Sequence, residues 1–308
     1  MLFFTYFSTG ENRRAVIAAA RRFLSTSGSW IKASIVLHKA GVIAFLLLFA
    51  NPGSSAQTIK IAGSGAAVGA MTLLAAEFSK KEPKAIFAPI EALGSGGSIR
   101  AAVSGALDLA VISRPLSDAE RNTGAQAIEY ARTPFVIVVN AKVPVKALTH
   151  AQLADFLDGK SEQWPNGQRI RFILRPAGDT DTRKLMGLSP GVSSAMQRAL
   201  QRPGMMIAGT DREAAELIEN TPGAVGASTL ASILTDSRSI VAVTLEGAVP
   251  SVKALASGAY PLHKQLFVVW GKTEPSPTVR RFVAFLATPP AKSILERTGH
   301  LLPPFTGK

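Results

Sequence analysis

Four short segments of this sequence combine the residue types that hold small anions. Each is rich in glycine, hydroxyl side chains or arginine, follows an apolar run typical of a strand and precedes a stretch typical of a helix. They are AGSGAAVGA from Ala62, GSGGS from Gly94, ISRPLS from Ile112 and RPAGDTDT from Arg175. A strand-to-helix junction presents unpaired backbone N–H groups and a partial positive charge. Four such junctions in one chain predict a single small oxyanion held where the segments converge.

The segments lie within a regular alternation of strand and helix patterns. Residues 58–62, 85–93 and 109–112 are apolar runs typical of strands, and residues 70–81 and 98–107 between them are typical of helices. Such alternation predicts parallel strands joined by crossover helices, and therefore an α/β sheet. Ligands of open α/β sheets lie beyond the carboxyl ends of the strands, which is where three of the four segments fall.

The rest of the chain, from residue 117 onwards, carries signals of the same kind. Ser117 and Glu120 form a capping-box pattern, which predicts a helix start, and a further helix is predicted to begin at Thr149. The β-branched run 135–140 predicts a strand that crosses between two parts of the fold. The remaining predicted elements are strands at 169–174 and 266–270, a short strand around 223–226 and a final helix at 277–287.

Residues 1–56 have the composition of a targeting segment. Basic side chains precede an uncharged apolar run at 41–50, and small residues at 54–56 offer a cleavage site. The run is about half the roughly 20 residues that a membrane-spanning helix needs. The pattern predicts a secretory signal and a periplasmic mature protein. The basic, amphipathic stretch 1–31 leaves open a transit peptide or a start codon assigned too far upstream.

Charge and cysteine content narrow the possible functions. The 308 residues carry a net charge of +13, and +8 remains without residues 1–56, which favours anionic ligands. The sequence has no cysteine, which excludes disulfides, thiol nucleophiles, thiolate metal sites and a lipid-anchored cysteine. No Lys/Arg-rich run with interleaved aromatic residues is present, so nucleic acid is not an expected partner.

In their order along the chain, these segments resemble the phosphate-binding periplasmic proteins of ABC importers. Two further stretches are similar to that family, LADFLDGKSEQWPNG from Leu153 and GAYPLHKQLFVV from Gly258. The resemblance implies a two-lobed class II binding-protein fold, in which each lobe is a mostly parallel sheet flanked by helices and crossover strands join the lobes. It places lobe 1 at 57–138 and 258–308, and lobe 2 at 139–257.

The resemblance also implies a function and a set of ligand-binding residues. The protein would be a monomer without enzymatic activity, cofactor or metal, which binds a small oxyanion, foremost phosphate, between its lobes and delivers it to an ABC permease in the inner membrane. Carried over by position, the ligand contacts are Ala67, Val68, Ser95, Ser113, Arg114, Arg175, Gly178, Asp179 and Thr180.

Three residues depart from the family pattern. Ala67 stands where a threonine hydroxyl is usual, and Asp179 and Asp181 stand where small or hydroxyl side chains are usual. A carboxylate aimed into the cleft would repel a fully ionised ligand. Two hypotheses for Asp179 remain open: it accepts a hydrogen bond from a protonated phosphate and thereby excludes sulfate, or it caps the following helix with its side chain turned away from the ligand.

Two other function classes are compatible with parts of the sequence. An envelope sensor would bind its ligand with the same lobes and pass the signal to a receptor. A dinucleotide-dependent oxidoreductase is suggested by the glycines of residues 63–69, which follow a strand and open a helix, with Glu91 near the end of the next strand. The third glycine stands one residue late for that fingerprint, and the other three segments have no place in it.

Overall fold

The computed structural model of the chain describes residues 57–304. The predicted targeting segment, residues 1–56, lies outside the described residues, and so does its apolar run at 41–50. From residue 57 to residue 304, no helix is both long enough and apolar enough to cross a bilayer.

Strands and helices alternate through the described residues, as the sequence predicts. The strands are β1 (Gln57–Ile59), β2 (Ile61–Gly63), β3 (Ala85–Phe87), β4 (Glu91–Ala92), β5 (Leu109–Ile112), β6 (Gln126–Asn140), β7 (Ala147–Leu148), β8 (Arg171–Leu174), β9 (Met206–Ile207), β10 (Ala224–Thr229), β11 (Ile240–Ala242), β12 (Thr244–Leu245) and β13 (His263–Trp270). The helices are α1 (Gly65–Lys81), α2 (Gly94–Val103), α3 (Asp118–Asn122), α4 (His150–Asp158), α5 (Thr180–Met186), α6 (Pro190–Gln201), α7 (Asp211–Asn220), α8 (Leu230–Asp236), α9 (Val252–Ala256), α10 (Pro277–Phe285) and α11 (Pro289–Arg297).

One long strand, β6, connects two sheet regions. The main sheet has the order β4-β2-β5-β13-β6-β10-β8-β9, and β11 also pairs with β6. Residues 126–134 of β6 pair with β13, whereas residues 135–140 pair with β10 and β11. We call the region of β2, β4, β5 and β13 lobe 1 and the region of β8 to β11 lobe 2. The predicted two-lobed α/β fold is confirmed; the predicted boundary between residues 138 and 139 falls inside β6 and stays a prediction.

Alternating side chains of β6 enter two different hydrophobic cores. Phe135, Ile137 and Val139 pack on one face of lobe 2, and Val136 and Val138 pack on the other. The short strand β5 shows the same alternation between the two cores of lobe 1. Helices therefore cover both faces of each sheet region, which explains why these strands are continuous apolar runs in the sequence.

The first two helices begin earlier than predicted. Helix α1 begins at Gly65 instead of residue 70, and α2 begins at Gly94 instead of residue 98. Residues expected to form open loops therefore form first helical turns. In the first turn of α1, Ala66 and Ala67 are both buried, and Ala67 packs in the lobe 1 core.

The predicted strand 85–93 and the predicted final helix 277–287 are both wrong in extent, and prolines explain the differences. The predicted strand 85–93 is two short strands in different sheets, since Pro89 lies between β3 and β4 and cannot donate to a ladder. The predicted final helix ends at Phe285, and α11 follows it with Pro289 and Pro290 at its start, where proline is tolerated. The helix starts predicted at Ser117 and Thr149 are confirmed, each with a complete capping box.

Gly63 holds the end of β2 against the backbone of β5. A Cβ atom at this position would lie 1.8 Å from the carbonyl oxygen of Val111. We expect Gly63→Ala to lower the free energy of unfolding by about 3 kcal/mol or more, because backbone cannot yield as a flexible side chain can. Urea denaturation followed by circular dichroism measures this change.

The matched control is Gly191→Ala in α6, where the nearest atom to an added Cβ, Ser189 Oγ, is 3.8 Å away. This variant should be unchanged or more stable by up to about 1 kcal/mol, because alanine favours helix. Equal midpoints for the two variants would contradict the close contact between β2 and β5.

Candidate anion-binding site

The predicted anion-binding segments converge on one cleft between the lobes. Its volume is about 470 Å³. Seven of the nine predicted ligand residues line it: Ser95, Ser113, Arg114, Arg175, Gly178, Asp179 and Thr180. The cleft is also lined by four residues that the sequence patterns did not predict as ligand contacts: Ser64, Arg183, Asp211 and Lys264. The structure thus brings together residues that are far apart in sequence.

Ala67 and Val68 are not part of the cleft lining. Ala67 has no exposed surface, packs in the lobe 1 core and donates its N–H to the carbonyl of Ser64. Val68 lies one residue further into α1, and its carbonyl accepts a hydrogen bond from Thr72. Their contact with a ligand stays a prediction. Within the segment that begins at Ala62, Ser64 is the residue that lines the cleft. The sequence feature that could have identified it is a serine directly before a helix.

The glycines around α1 are explained by close packing. A Cβ at Gly69 would lie 2.2 Å from the hydroxyl of Thr235 in α8, and a Cβ at Gly65 would lie 2.8 Å from Cβ of Asp211. Together with the contact at Gly63, these distances account for the pattern that resembled a dinucleotide fingerprint. The pattern therefore needs no bound cofactor to explain it.

Three serines link the ends of β2 and β5 to the start of α2. The hydroxyl groups of Ser64 and Ser113 are hydrogen-bonded to each other over 2.9 Å, and the N–H of Ser113 donates to Ser95 Oγ over 3.2 Å. Helix α2 starts at Gly94, whose φ of 71° is a conformation that glycine adopts readily. No side chain caps α2, so its first-turn N–H groups are available beside the cleft.

Arg114 is already paired with a carboxylate. Its two terminal nitrogens donate to the two oxygens of Glu120, each over 2.7 Å. The same carboxylate completes the capping box with Ser117, and the hydrogen bonds from Arg114 lower the pKa of Glu120 to about 2. The guanidinium therefore reaches the cleft with its charge largely balanced.

Arg175 and Asp179 form a second pair. Arg175 is only 4% exposed and donates to the carbonyl of Ala208 over 2.7 Å and to Asp179 Oδ2 over 2.9 Å. Asp179 Oδ1 accepts the N–H of Asp181 and so caps α5. The predicted cap is confirmed, but the side chain is not turned away, because Asp179 lines the cleft and pairs with Arg175. Both oxygens of Asp179 already have donors, and its proposed selection of protonated phosphate stays a prediction.

The most buried charge in the cleft is the ammonium group of Lys264. This side chain is 1% exposed and lies between Asp181, which it contacts directly, and Asp211, whose Oδ1 is 3.1 Å from Nζ. Lys264 comes from β13 in lobe 1, whereas both aspartates come from lobe 2. A single lysine inside an apolar strand was the only sequence signal for this cluster.

Asp211 also binds the start of α1. Its Oδ2 accepts the Ser64 hydroxyl over 2.8 Å and the N–H of Ala66 over 3.3 Å. Asp211 is the first residue of α7, and no pattern in the sequence marks it as a partner of a residue about 150 positions earlier.

The two aspartates differ in acidity because their surroundings differ. Burial raises the pKa of Asp181 to about 7, since desolvation and the nearby Asp211 and Asp179 outweigh the attraction of Lys264. Burial acts on Asp211 in the same direction, but Lys264, Arg175 and the Ser64 hydroxyl hold the pKa of this carboxyl well below its usual range. The two carboxylates raise the pKa of Lys264 despite its burial. Asp211 and Lys264 are therefore charged at neutral pH.

The described residues offer no group of three or more histidine, cysteine, aspartate or glutamate side chains that could hold a metal ion. The chemistry that this lining supports is reversible binding of an anion through N–H, hydroxyl and guanidinium groups.

Comparison with known proteins identifies relatives. The family model of the PBP superfamily domain matches residues 50–290. The phosphate-binding protein PstS of Borreliella burgdorferi is 20% identical over 218 residues, which cover 68% of this chain and 78% of that protein. The protein of the same name from Bacillus subtilis strain 168 is 26% identical over 212 residues, 67% of each chain.

A solved structure has the same fold. It is described as a phosphate ABC transporter substrate-binding protein from Clostridium perfringens with bound phosphate. The TM-score is 0.69 at 20% identity, and the superposition covers 80% of this chain and 100% of that chain.

Removal of the Lys264 ammonium should destabilise the fold strongly. Lys264→Met leaves Asp181 and Asp211 buried together without a cation, and loss of one partner from a buried ion cluster costs about 3–5 kcal/mol. Urea denaturation at pH 7 measures the loss. The control is Lys80→Met, whose exposed ammonium pairs with Glu77 and whose loss should cost less than about 1 kcal/mol. Equal stability of the two variants would show that no buried cluster forms.

The raised pKa of Asp181 predicts a pH-dependent effect of Asp181→Asn. Between about pH 4 and pH 7 the folded wild type holds a proton on Asp181 that the unfolded chain has released, so its stability falls as the pH rises through this window. Asparagine binds no such proton. The stability of the variant relative to wild type should therefore increase from pH 4.5 to pH 7.5 in urea titrations; a flat or falling difference would contradict the raised pKa.

Proposed function

This chain belongs to the PBP superfamily, and on that premise we propose that it is a solute-binding protein that captures a small oxyanion, foremost phosphate, in the cleft between its lobes. The convergence of four strand-to-helix segments on one cleft carries the proposal. Names of relatives support phosphate as the first anion to test, because those proteins are called phosphate-binding or phosphate transporter substrate-binding proteins.

Several donors around the cleft are available to a ligand. They are the uncapped N–H groups of α2 and the hydroxyl groups of Ser95 and Thr180. A hydrogen bond to a charged group contributes about 1.5–3 kcal/mol. Four such bonds supply about 8 kcal/mol, which corresponds to a dissociation constant of about 1 μM. Binding of this strength suits capture and release.

Arg183 is the cleft cation best placed to bind a ligand. It lines the cleft, is exposed, and donates to the carbonyl of Gly178. Among the cleft-lining cations of residues 57–304, Arg114, Arg175 and Lys264 each pair with a carboxylate, whereas Arg183 does not. A ligand oxyanion would give its guanidinium the partner that the other three already have.

The proposal extends to the setting of the protein. A chain of this family with a secretory segment at 1–56 would act in the periplasm, as a monomer without enzymatic activity. It would deliver the bound anion to an ABC permease in the inner membrane. Closure of the lobes around the ligand would provide the surface that the permease recognises.

Calorimetric titration of the full chain with inorganic phosphate tests the binding step. We expect a dissociation constant of the order of micromolar. Arg183→Ala should weaken binding by about 10- to 100-fold, because it removes a charge-assisted hydrogen bond. Arg198→Ala is the control, since this exposed arginine pairs with Asp158 away from the cleft; it should change binding less than twofold.

Absence of binding to phosphate, sulfate, molybdate and phosphonates would refute the proposed function. Equal losses in Arg183→Ala and Arg198→Ala would refute the location of the site.

A further inference from the structure

The start of helix α1 already holds an anion, which is a side chain of the protein itself. The Asp211 carboxylate accepts hydrogen bonds from the Ser64 hydroxyl over 2.8 Å and from the N–H of Ala66 over 3.3 Å. Helix α1 has 17 residues, no acidic residue in its first turn and no cap from the side chain of Ser64. Asp211 therefore supplies from lobe 2 the negative charge that the helix lacks locally.

The other oxygen of Asp211 has a cationic donor. Lys264 Nζ lies 3.1 Å from Oδ1. A hydroxyl group, a helix N-terminal N–H and an ammonium group form the kind of donor set that binds a small oxyanion. Arg175, 4% exposed in the same cleft lining, keeps an Nε that has no hydrogen-bond partner among the described residues.

We propose that Asp211 is a resident anion of the cleft, and that a ligand oxyanion replaces its carboxylate at these donors. The inference rests on the proposed function. It identifies Asp211 as the residue that lowers the affinity of the cleft for an oxyanion. Two negative charges cannot share the same three donors, so the ligand binds only as Asp211 leaves. The Ser64 hydroxyl, the N–H of Ala66 and the Lys264 ammonium then turn from the carboxylate to the ligand.

The surroundings of Asp211 allow this exchange. Its side chain is 14% exposed and faces the cleft, so the carboxylate can move towards solvent. Helix α7 keeps its own cap, because Thr210 accepts the N–H of Glu213 independently of Asp211. Lys264 keeps Asp181 as its partner. Exchange therefore leaves no buried charge unpaired.

A different role for the carboxylate predicts the opposite result. If Asp211 accepted a hydrogen bond from a protonated ligand, its removal would weaken binding and would reduce discrimination against sulfate. As a resident anion, Asp211 opposes every oxyanion, and its removal strengthens binding of phosphate and sulfate alike. The direction of the change separates these two roles.

The experiment is calorimetric titration of full-length wild type and Asp211→Asn with inorganic phosphate and with sulfate. The variant keeps the shape of the side chain, removes its charge and leaves Lys264 paired with Asp181. We expect at least tenfold tighter binding of both anions. Asp211→Ser removes the carboxylate by shortening the side chain and should show the same gain in affinity. It replaces Asp211→Asn in the experiment if the asparagine variant does not fold.

The control is Glu213→Gln, which removes one negative charge from the same turn of α7 outside the cleft lining. Its affinity should stay within twofold of wild type. A gain in Asp211→Asn that Glu213→Gln lacks supports the inference.

Two results would overturn the inference and leave the proposed function standing: wild-type binding that is unchanged or weakened in Asp211→Asn, and an equal gain in Glu213→Gln. If neither wild type nor the two Asp211 variants bind any oxyanion tested, both the inference and the proposed function fail.

Discussion

The geometry of the cleft depends on the Lys264 ammonium group between Asp181 and Asp211. A buried charge loses its hydration, and only partners in direct contact compensate for that loss. Because the lysine belongs to β13 in lobe 1 and its partners to α5 and α7 in lobe 2, this compensation requires the two lobes to approach each other. The contact that satisfies Lys264 therefore also brings Asp211 to Ser64 and sets the position of α7 beside α1.

Charge in the cleft is balanced in pairs. Arg114 pairs with Glu120, Arg175 pairs with Asp179, and Lys264 is shared by two carboxylates. Simple counting of arginines near glycine-rich loops would suggest a strongly positive site. The structure shows instead that most of this charge is already paired within the protein. Under the proposed function, the helix N-termini and hydroxyl groups would therefore supply much of the binding to an anion.

Local sequence patterns predicted the elements that carry the site, and they did not predict the contacts between those elements. The capping residues Ser117, Thr149 and Asp179 could be identified because a cap acts within three residues of itself. The early start of α1 was missed because its glycines and alanines are required by tertiary packing. The pairing of Asp211 with Ser64 spans 147 positions, and no local pattern reports a contact between residues so distant in sequence.

The continuity of β6 has a mechanical consequence. Its residues 126–134 are hydrogen-bonded to β13 and its residues 135–140 to β10 and β11, so the lobes are joined by a strand that belongs to both regions of the sheet. A change in the angle between the lobes would have to bend or twist this strand near Pro134, the residue at the change of partners that has no N–H to donate. The directions in which the lobes can move relative to each other are therefore limited by a continuous strand instead of being left to a loose linker.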